Sequence, residues 1–419
     1  MNADIISIGT ELLMGELVDT NAPYLAARLP SMGIRLQGVA QAGDDIEMLV
    51  QVLRHASQRS DLVLTTGGLG PTEDDLTREA IARLLEEVSY VHPRLLQDLK
   101  ETFRQRGSAM PETNIKQATL IPSATSVTNS MGTAPGWWVE NRGKIIVAMP
   151  GPPAEMHRMW EMEVEPKLYS YPRGEVTVTR SLKTFGLGEG ALNEKVAHLF
   201  HLSTVRMGMY AQAQGVQLRI RASASTTDEA QRLISPVEQE IRDLVGDYIW
   251  GVDEETLEEQ VGQSLRDLRL TLAAMESCTG GLLAHTITQV PGSSDYFKGG
   301  VVSYTNETKI ALGVDPTLLG EHGAVSPEVA QDMARAIRRR LNADLGVGIT
   351  GVAGPAEIEG KPAGTVHIGL AHRDGTLSFS RRYPAQRPLV KQRATTQALL
   401  ELWNLLNRIR SSRDEATRA

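Results

Sequence analysis

Apolar positions in the first 170 residues alternate between two patterns. Ile5, Ile6 and Ile8 form a short apolar run that predicts a buried strand. GTELLMGELVDTN follows as a loop. Asp19, Thr20 and Asn21 then start a helix over APYLAARLPSMG, which ends near Pro30. IRLQGVAQAG predicts a second strand and IEMLVQVLRHASQRS a helix. DLVLTTGGLGPTEDD reads as a buried strand opening into a glycine loop. LTREAIARLLEE and much of HPRLLQDLKETFRQRGS carry helical spacing. GKIIVAMPGPPAEMHRMWEMEVEPKL gives strand, Pro/Gly loop and helix. This alternation predicts an α/β layer with a mostly parallel sheet.

The pattern breaks at YSYPRGE, which closes a first α/β unit at 1–170. Residues 171–252 read as a small α+β unit of strands and two helices, carried by VTVTRSLKTFGLGEGALNEKVAHLF and VQLRIRASASTTDEAQRLISPVEQEIRDLVG. DYIWGVDEETLEEQVGQSLRDLR leads into a third unit, 253–415, again α/β. It holds AAMESCTGG, VVSYTN, LGVGITGVAGPAE and GTVHIGLAHR, interleaved with helices such as SPEVAQDMARAIRRRLNA. RATTQALLELWNLLNRIR is a last helix with a large apolar face, and the polar tail SSRDEATRA is expected to fray.

Composition narrows the setting. The chain has 419 residues, 41% hydrophobic and 22% charged, which suits a soluble protein of two or three domains. A net charge of -8 argues against a broad basic surface for nucleic acid. One cysteine forms no internal disulfide and builds no Cys-based zinc site alone. The start MNADIISIGTELL lacks the features of a signal peptide, and no run of 18 apolar residues occurs. The expected setting is cytoplasmic, away from membranes.

Three loops of the first unit carry charged-ligand chemistry. They are GTELLMGELVDTN (ending at Asp19 and Asn21), TTGGLGPTEDDLT (with Gly67, Gly68 and Gly70) and MPGPPAEM (with Gly151). Each lies near a predicted strand end, where an open α/β sheet collects its ligand. Glycines let backbone N–H groups approach an anion. Asp74 and Asp75 beside the glycine loop point to a hard divalent metal. The alternative is capping, since DDLTREA also reads as a helix start. TGGLGP is neither G-x-G-x-x-G nor a Walker A loop. In the middle unit, Gly186, Gly188 and Gly190 read as a turn before a helix, and Arg219 and Arg221 as one polar strand face.

The stretch AAMESCTGG places Ser277 after an apolar strand and before Gly280 and Gly281, the form of an exposed nucleophile at a strand-to-helix turn. It lacks G-x-S-x-G. A serine needs a base. His285 lies on the next apolar helix and reads as a core or surface residue. Tyr304 and Lys309 lie within one turn after a strand, where a buried, neutral lysine takes the serine proton and the tyrosine relays or orients it. The other reading is a surface lysine and a strand-edge tyrosine. Cys278 competes as nucleophile, but a lone cysteine after an apolar strand is more often packed inside.

GTELLMGELVDTN, TTGGLGPTEDDLT, NSMGTAPG (Asn129–Gly136) and MPGPPAEMHRM resemble the N-terminal domain of the competence/damage-inducible protein A (CinA) family, itself similar to molybdopterin-binding proteins. The resemblance implies an ADP-ribose pyrophosphatase with a divalent metal at Asp74 and Asp75, and ligand loops holding Asp19, Asn21, Gly67, Gly68 and Gly151. It implies a KH-like middle domain that, without a GXXG clamp, acts as spacer or dimerisation module. AAMESCTGG, KGGVVSYTNETK, HGAVS and GITGVAGP resemble the family's C-terminal domain, which is similar to nicotinamide-nucleotide amidohydrolases (NMN deamidases). Ser277, Tyr304 and Lys309 fall on the family's nucleophile, tyrosine and lysine, without gaps in the motifs. The implied reaction is metal-free deamidation of nicotinamide mononucleotide. Thr279, Gly280, Gly281, Thr350 and Gly351 are then substrate or oxyanion contacts. A homodimer is implied, and nucleic acid is not an expected partner. The rival expectation is a nucleotide- or molybdopterin-binding protein linked to competence or DNA damage. Two departures stand out. Met131 replaces a usual proline in NSMG, and AGPAEIEGKPAG lacks the usual glycine pair, with Gly360 alone in that loop.

Overall fold

The structure is a computed structural model describing residues 1–171, 174–212 and 214–418. It contains three main sheets. In the first, β1 (Asn2–Ile8), β2 (Arg35–Ala42), β3 (Leu62–Thr66), β6 (Ala124–Val127), β7 (Gly136–Asn141) and β8 (Lys144–Met149) take the order β2-β1-β3-β8-β7-β6. The short strands β4 (Tyr90–Val91) and β5 (Thr119–Leu120) pair separately. Strands β2, β1, β3 and β8 are parallel, whereas β7 and β6 run antiparallel. Helices cover both faces, so the central strands read as apolar runs. Ile6, Ile8, Val63 and Ile146 pack on one face with Leu49, Leu53 and Ile81. Ile5, Leu62, Leu64 and Val147 pack on the other with Leu25, Leu29 and Trp160.

A four-stranded sheet follows, with β9 (Val176–Thr184), β10 (Arg206–Gln212), β11 (Gly215–Ala224) and β12 (Ile249–Val252) in the order β10-β11-β9-β12. The helices Glu189–Val196 and Thr227–Val245 belong to this α+β stretch. The third sheet has β13 (Leu272–Glu276), β14 (Phe297–Val302), β15 (Leu345–Gly351), β16 (Thr365–His372) and β17 (Gly375–Arg382) in the order β14-β13-β15-β16-β17. Its first three strands are parallel and its last two antiparallel. Leu272 and Ala274 face a core filled by Val390, Ala394, Leu402 and Leu406 of the last helix. Ala273 and Met275 face Val329, Met333 and Ile337 of the helix Pro327–Arg340.

By its internal contacts the chain forms two compact units: Met1–Thr179 with Arg221–Ser235, and Arg180–Ile220 with Pro236–Ala419. The last helix begins at Arg387 and continues to Arg418, through the tail expected to fray. The predicted break YSYPRGE begins just after the helix that ends at Leu168, and its Pro172 and Arg173 lie outside the described residues. In each α/β sheet the loops that carry the candidate residues follow the carboxyl ends of parallel strands: β1, β3 and β8 in one, β13, β14 and β15 in the other.

Candidate active site

The Ser277 turn is built by its neighbours. Strand β13 ends at Glu276, and Ser277 donates its backbone N–H to the Ile349 carbonyl at 2.8 Å. The chain then reverses through Gly280 and Gly281. Gly281 sits at φ 90, in the left-handed region that a β-carbon disfavours, and opens the helix Leu282–Thr288. Glu276 is 1% exposed. Its carboxylate accepts from the backbone N–H groups of Gly281 (3.1 Å), Leu283 (3.0 Å) and Ala284 (2.9 Å). An acidic group thus satisfies the start of that helix and ties it to the strand that presents Ser277.

Lys309 comes from the helix that follows the neighbouring strand. After β14 the Thr305 side chain caps the helix Asn306–Ala311, accepting from the Thr308 N–H. Lys309 lies one turn in and points back toward the sheet. It is 1% exposed. Its Nζ lies 3.2 Å from Ser277 Oγ and 2.8 Å from the Ser303 carbonyl, to which it donates. Burial pulls the ammonium below its ordinary range, and the nearby Cys278, Glu359 and Glu307 oppose this. The structure therefore joins Ser277 to an amine whose burial makes its proton easier to lose.

The other expected residues divide. Tyr304 is 55% exposed, and its hydroxyl accepts from Arg387 at 2.6 Å. Arg387 also donates to the Gly354 carbonyl at 3.1 Å. Among the described residues, no hydrogen bond joins Tyr304 to Ser277 or Lys309. The Gly280 N–H donates to the Ser277 carbonyl and the Gly281 N–H to Glu276, so both are already engaged. Thr350 donates its hydroxyl to the Ala324 carbonyl at 2.7 Å, and Gly351 sits opposite Val366 in the β15–β16 ladder. Thr279 is fully buried, and its hydroxyl has no hydrogen-bond partner among the described residues. Cys278 packs in the core, and burial pushes its thiol up to about 12. His285 pairs with Gln289, which caps the end of its helix.

In the N-terminal sheet, Asp19 organises the first loop. One carboxylate oxygen accepts from the N–H groups of Asn21 (3.0 Å) and Ala22 (3.1 Å), the other from the Ser7 hydroxyl (2.6 Å). Asn21 donates to the Gly151 carbonyl at 2.8 Å, joining the first and third loops. Its own Oδ1 is buried without a partner among the described residues. The Gly67 N–H donates to the Met149 carbonyl, and the Thr77 hydroxyl donates to the Gly67 carbonyl. A side chain at Gly67 is excluded: φ is +101, and a β-carbon would lie 2.1 Å from the Ile8 carbonyl oxygen. The structure brings Asp19, Asn21, Gly67 and Gly151 into one bonded set of loops.

Asp74 and Asp75 do not cap the helix that follows them. That helix starts at Thr77, with Leu76 before it and no side-chain cap. Asp75 instead accepts from the Thr72 N–H at 2.9 Å, closing its own turn. Asp74 is held below the usual carboxylate range, first by a hydrogen bond from Thr72. Lys116 reaches the Thr72 carbonyl at 3.0 Å and Glu79 at 3.1 Å. Among the described residues, no group of three or more His, Cys, Asp or Glu side chains converges as a metal cluster. In the NSMGTAPG loop, Asn129 accepts from the N–H groups of Met131 and Gly132. An asparagine side chain fixes the turn that the usual proline would stiffen.

Sequence reasoning missed Glu276, Ser303 and Arg387. Glu276 lies inside AAMESCTGG. A carboxylate just before a glycine turn and helix start is a readable capping signal. Ser303 acts through its carbonyl, and Arg387 reaches from the distant last helix, so neither leaves a local sequence signal.

Comparison with known proteins covers these modules. Residues 4–170 match the family described as "Probable molybdopterin binding domain", 179–251 the "Damage-inducible protein CinA KH domain", and 254–406 the "CinA C-terminal domain". A competence-damage inducible protein of Moorella thermoacetica is 42% identical over 97% of this chain and 99% of its own. A CinA-like protein of Gloeothece citriformis is 42% identical over 90% of this chain and 91% of its own. A crystal structure titled as the protein CinA with unknown function from Thermoplasma acidophilum is 31% identical, covering 40% of this chain and 99% of that one, with a TM-score of 0.38. No helix among the described residues is long and apolar enough to cross a membrane. With sequence identity that runs nearly end to end through all three modules, the chain belongs to the CinA family.

Proposed function

We propose that the C-terminal module is a serine–lysine amidohydrolase acting on the carboxamide of nicotinamide mononucleotide. The observation that carries this reading is the 3.2 Å approach of buried Lys309 Nζ to Ser277 Oγ. Neutral Lys309 takes the Ser277 proton as Oγ attacks the carboxamide carbon. The tetrahedral oxyanion then needs N–H donors. In this turn the backbone N–H groups of Cys278 and Thr279 make no hydrogen bond to another residue among those described, so we assign them this role. Collapse breaks the C–N bond, and the proton on Lys309 leaves with ammonia. Water, deprotonated by the same amine, then frees the acid from Ser277. The substrate comes from the family resemblance, and the acyl chemistry rests on the two side chains. Incubation with nicotinamide mononucleotide is expected to release ammonia in a one-to-one ratio with nicotinic acid mononucleotide. Folded protein that releases none would remove the assignment.

For the N-terminal module we infer binding of ADP-ribose, with hydrolysis to AMP and ribose 5-phosphate. The stretch Glu73–Glu79 carries four carboxylates against one guanidinium, so a diphosphate entering there needs a cation. Asp74 and Asp75 supply hard oxygen donors suited to a divalent ion that keeps water and phosphate ligands. Such an ion would neutralise phosphate charge and activate water. A second reading is a binding module for a nucleotide or molybdopterin-type ligand, tied to competence or DNA damage. It is favoured by Asp19 and Asp75, whose hydrogen bonds serve loop architecture. Saturable ADP-ribose binding without AMP release, with every common divalent metal tried, would select it. A cytoplasmic homodimer completes the proposal, and sedimentation of the full chain tests the dimer.

A further inference from the structure

Arg78 is the second residue of the helix Thr77–Leu85, where a cation opposes the helix dipole. It is nevertheless 1% exposed, among the largest fully buried side chains described. Among the described residues no carboxylate bonds to it, although Glu79 and Asp75 favour its charge from nearby. Its Nη1 donates to the Leu69 carbonyl at 2.8 Å, and its Nη2 to the Pro135 carbonyl at 2.8 Å. Leu69 belongs to the glycine loop TTGGLGP, and Pro135 to NSMGTAPG, whose Asn129 donates to Glu155 of the MPGPPAEM stretch at 2.7 Å. The Nε has no hydrogen-bond partner among the described residues, and the guanidinium lies 6.0 Å from the Trp137 ring centroid.

Burying a guanidinium with only two neutral acceptors is costly. A methionine or leucine would fill the same space without that cost, so packing alone does not account for the residue. Its planar fork does what an apolar side chain cannot: it bonds two carbonyls at once and fixes their separation. Lysine presents a single ammonium in place of the fork. Burial lowers the guanidinium to about 10, so it stays charged at neutral pH and both bonds remain charge-assisted.

We infer that Arg78 is the positioning residue of the N-terminal site, a buried clamp that holds the glycine loop and the NSMGTAPG wall at the spacing the ligand requires. It acts through the two carbonyls. The ligand half of this inference rests on the ADP-ribose reading above, whereas the clamp itself does not.

The test uses the full chain with Arg78→Lys, which keeps the charge but loses the fork, and Arg78→Met, which loses both. Amide hydrogen exchange is followed in peptides covering 67–72 and 129–136, with strands β13 and β15 as internal controls. In Arg78→Lys both loops are expected to exchange faster together while the controls are unchanged. ADP-ribose affinity with magnesium present should fall about tenfold, the scale of losing one well-made charged contact. Wild-type exchange in both loops, or acceleration in only one, overturns the clamp. If Arg78→Met fails to fold, Arg78→Lys still decides. If the wild-type protein binds no ADP-ribose, the ligand reading falls and the exchange data still judge the clamp.

Discussion

Lys309 shows most directly how one residue couples stability to chemistry. Its ordinary pKa is 10.5, and burial lowers it in the folded chain. Between the lowered value and 10.5 the unfolded chain holds the proton more firmly. The cost of burying the ammonium is therefore fully present below this window and disappears as pH rises through it. Lys309→Met is expected to raise the melting temperature near neutral pH, or leave it unchanged, and to flatten its rise toward alkaline pH, as thermal scans would show. The same substitution should lower ammonia release by about 10⁴-fold or more. Wild-type kcat/KM should climb with pH as the amine loses its proton, with a midpoint below 10.5. Ser277→Ala should abolish turnover. Cys278→Ala should keep most of it, because a thiol near 12 carries almost no thiolate at neutral pH. Loss of activity in Cys278→Ala with normal turnover in Ser277→Ala would reverse the assignment. The serine and lysine were legible in the sequence because a strand-to-turn break precedes each. The tyrosine's environment was not, since Arg387 reaches it from 83 residues away.

At the scale of elements, both sites depend on how a turn is joined to the helix after it. Glu276 occupies three helix-start N–H groups, one buried and two partly buried, and removing its carboxylate leaves them without that acceptor. Glu276→Ala is expected to cost about 2 kcal/mol or more in chemical denaturation, and to lower turnover by displacing Ser277. Unchanged stability would mean that water satisfies the turn. Gly67→Ala should cost more than about 1 kcal/mol, because it combines a left-handed backbone with a clash at the Ile8 carbonyl. Strand–helix alternation made the two α/β modules legible, and the apolar runs at β1 and β13 each marked a buried strand. The antiparallel ends of both sheets were not legible, because hairpin strands and parallel strands share the same apolar spacing. Asp74 and Asp75 show a similar limit. DDLTREA has the composition of a capped helix start, but the helix begins later, at Thr77, and Asp75 closes the Thr72 turn instead. Only the three-dimensional loop decides between two local hydrogen-bond partners of equal sequence distance.

For the whole molecule, the open question is whether its two chemistries are separable. The C-terminal reading needs only Ser277, Lys309 and backbone donors, whereas the N-terminal reading places carboxylates where a diphosphate's charge requires a cation. The two sets of groups lie on different sheets, in different compact units. A chelator is therefore expected to stop AMP release from ADP-ribose and leave ammonia release from nicotinamide mononucleotide unchanged. Asp74→Ala should reproduce the chelator's pattern, and Ser277→Ala should produce its converse. Ligand linkage gives a check that needs no turnover. ADP-ribose with magnesium at about 100 times its Kd should stabilise the unit it binds by about 2.7 kcal/mol. In Asp74→Ala that gain should shrink, while the protection given by nicotinamide mononucleotide should persist. Parallel assays of AMP and ammonia, with thermal scans of each variant, decide the matter. If chelation removes both activities from a protein that stays folded, the sites are not independent, and the metal acts beyond the N-terminal loops.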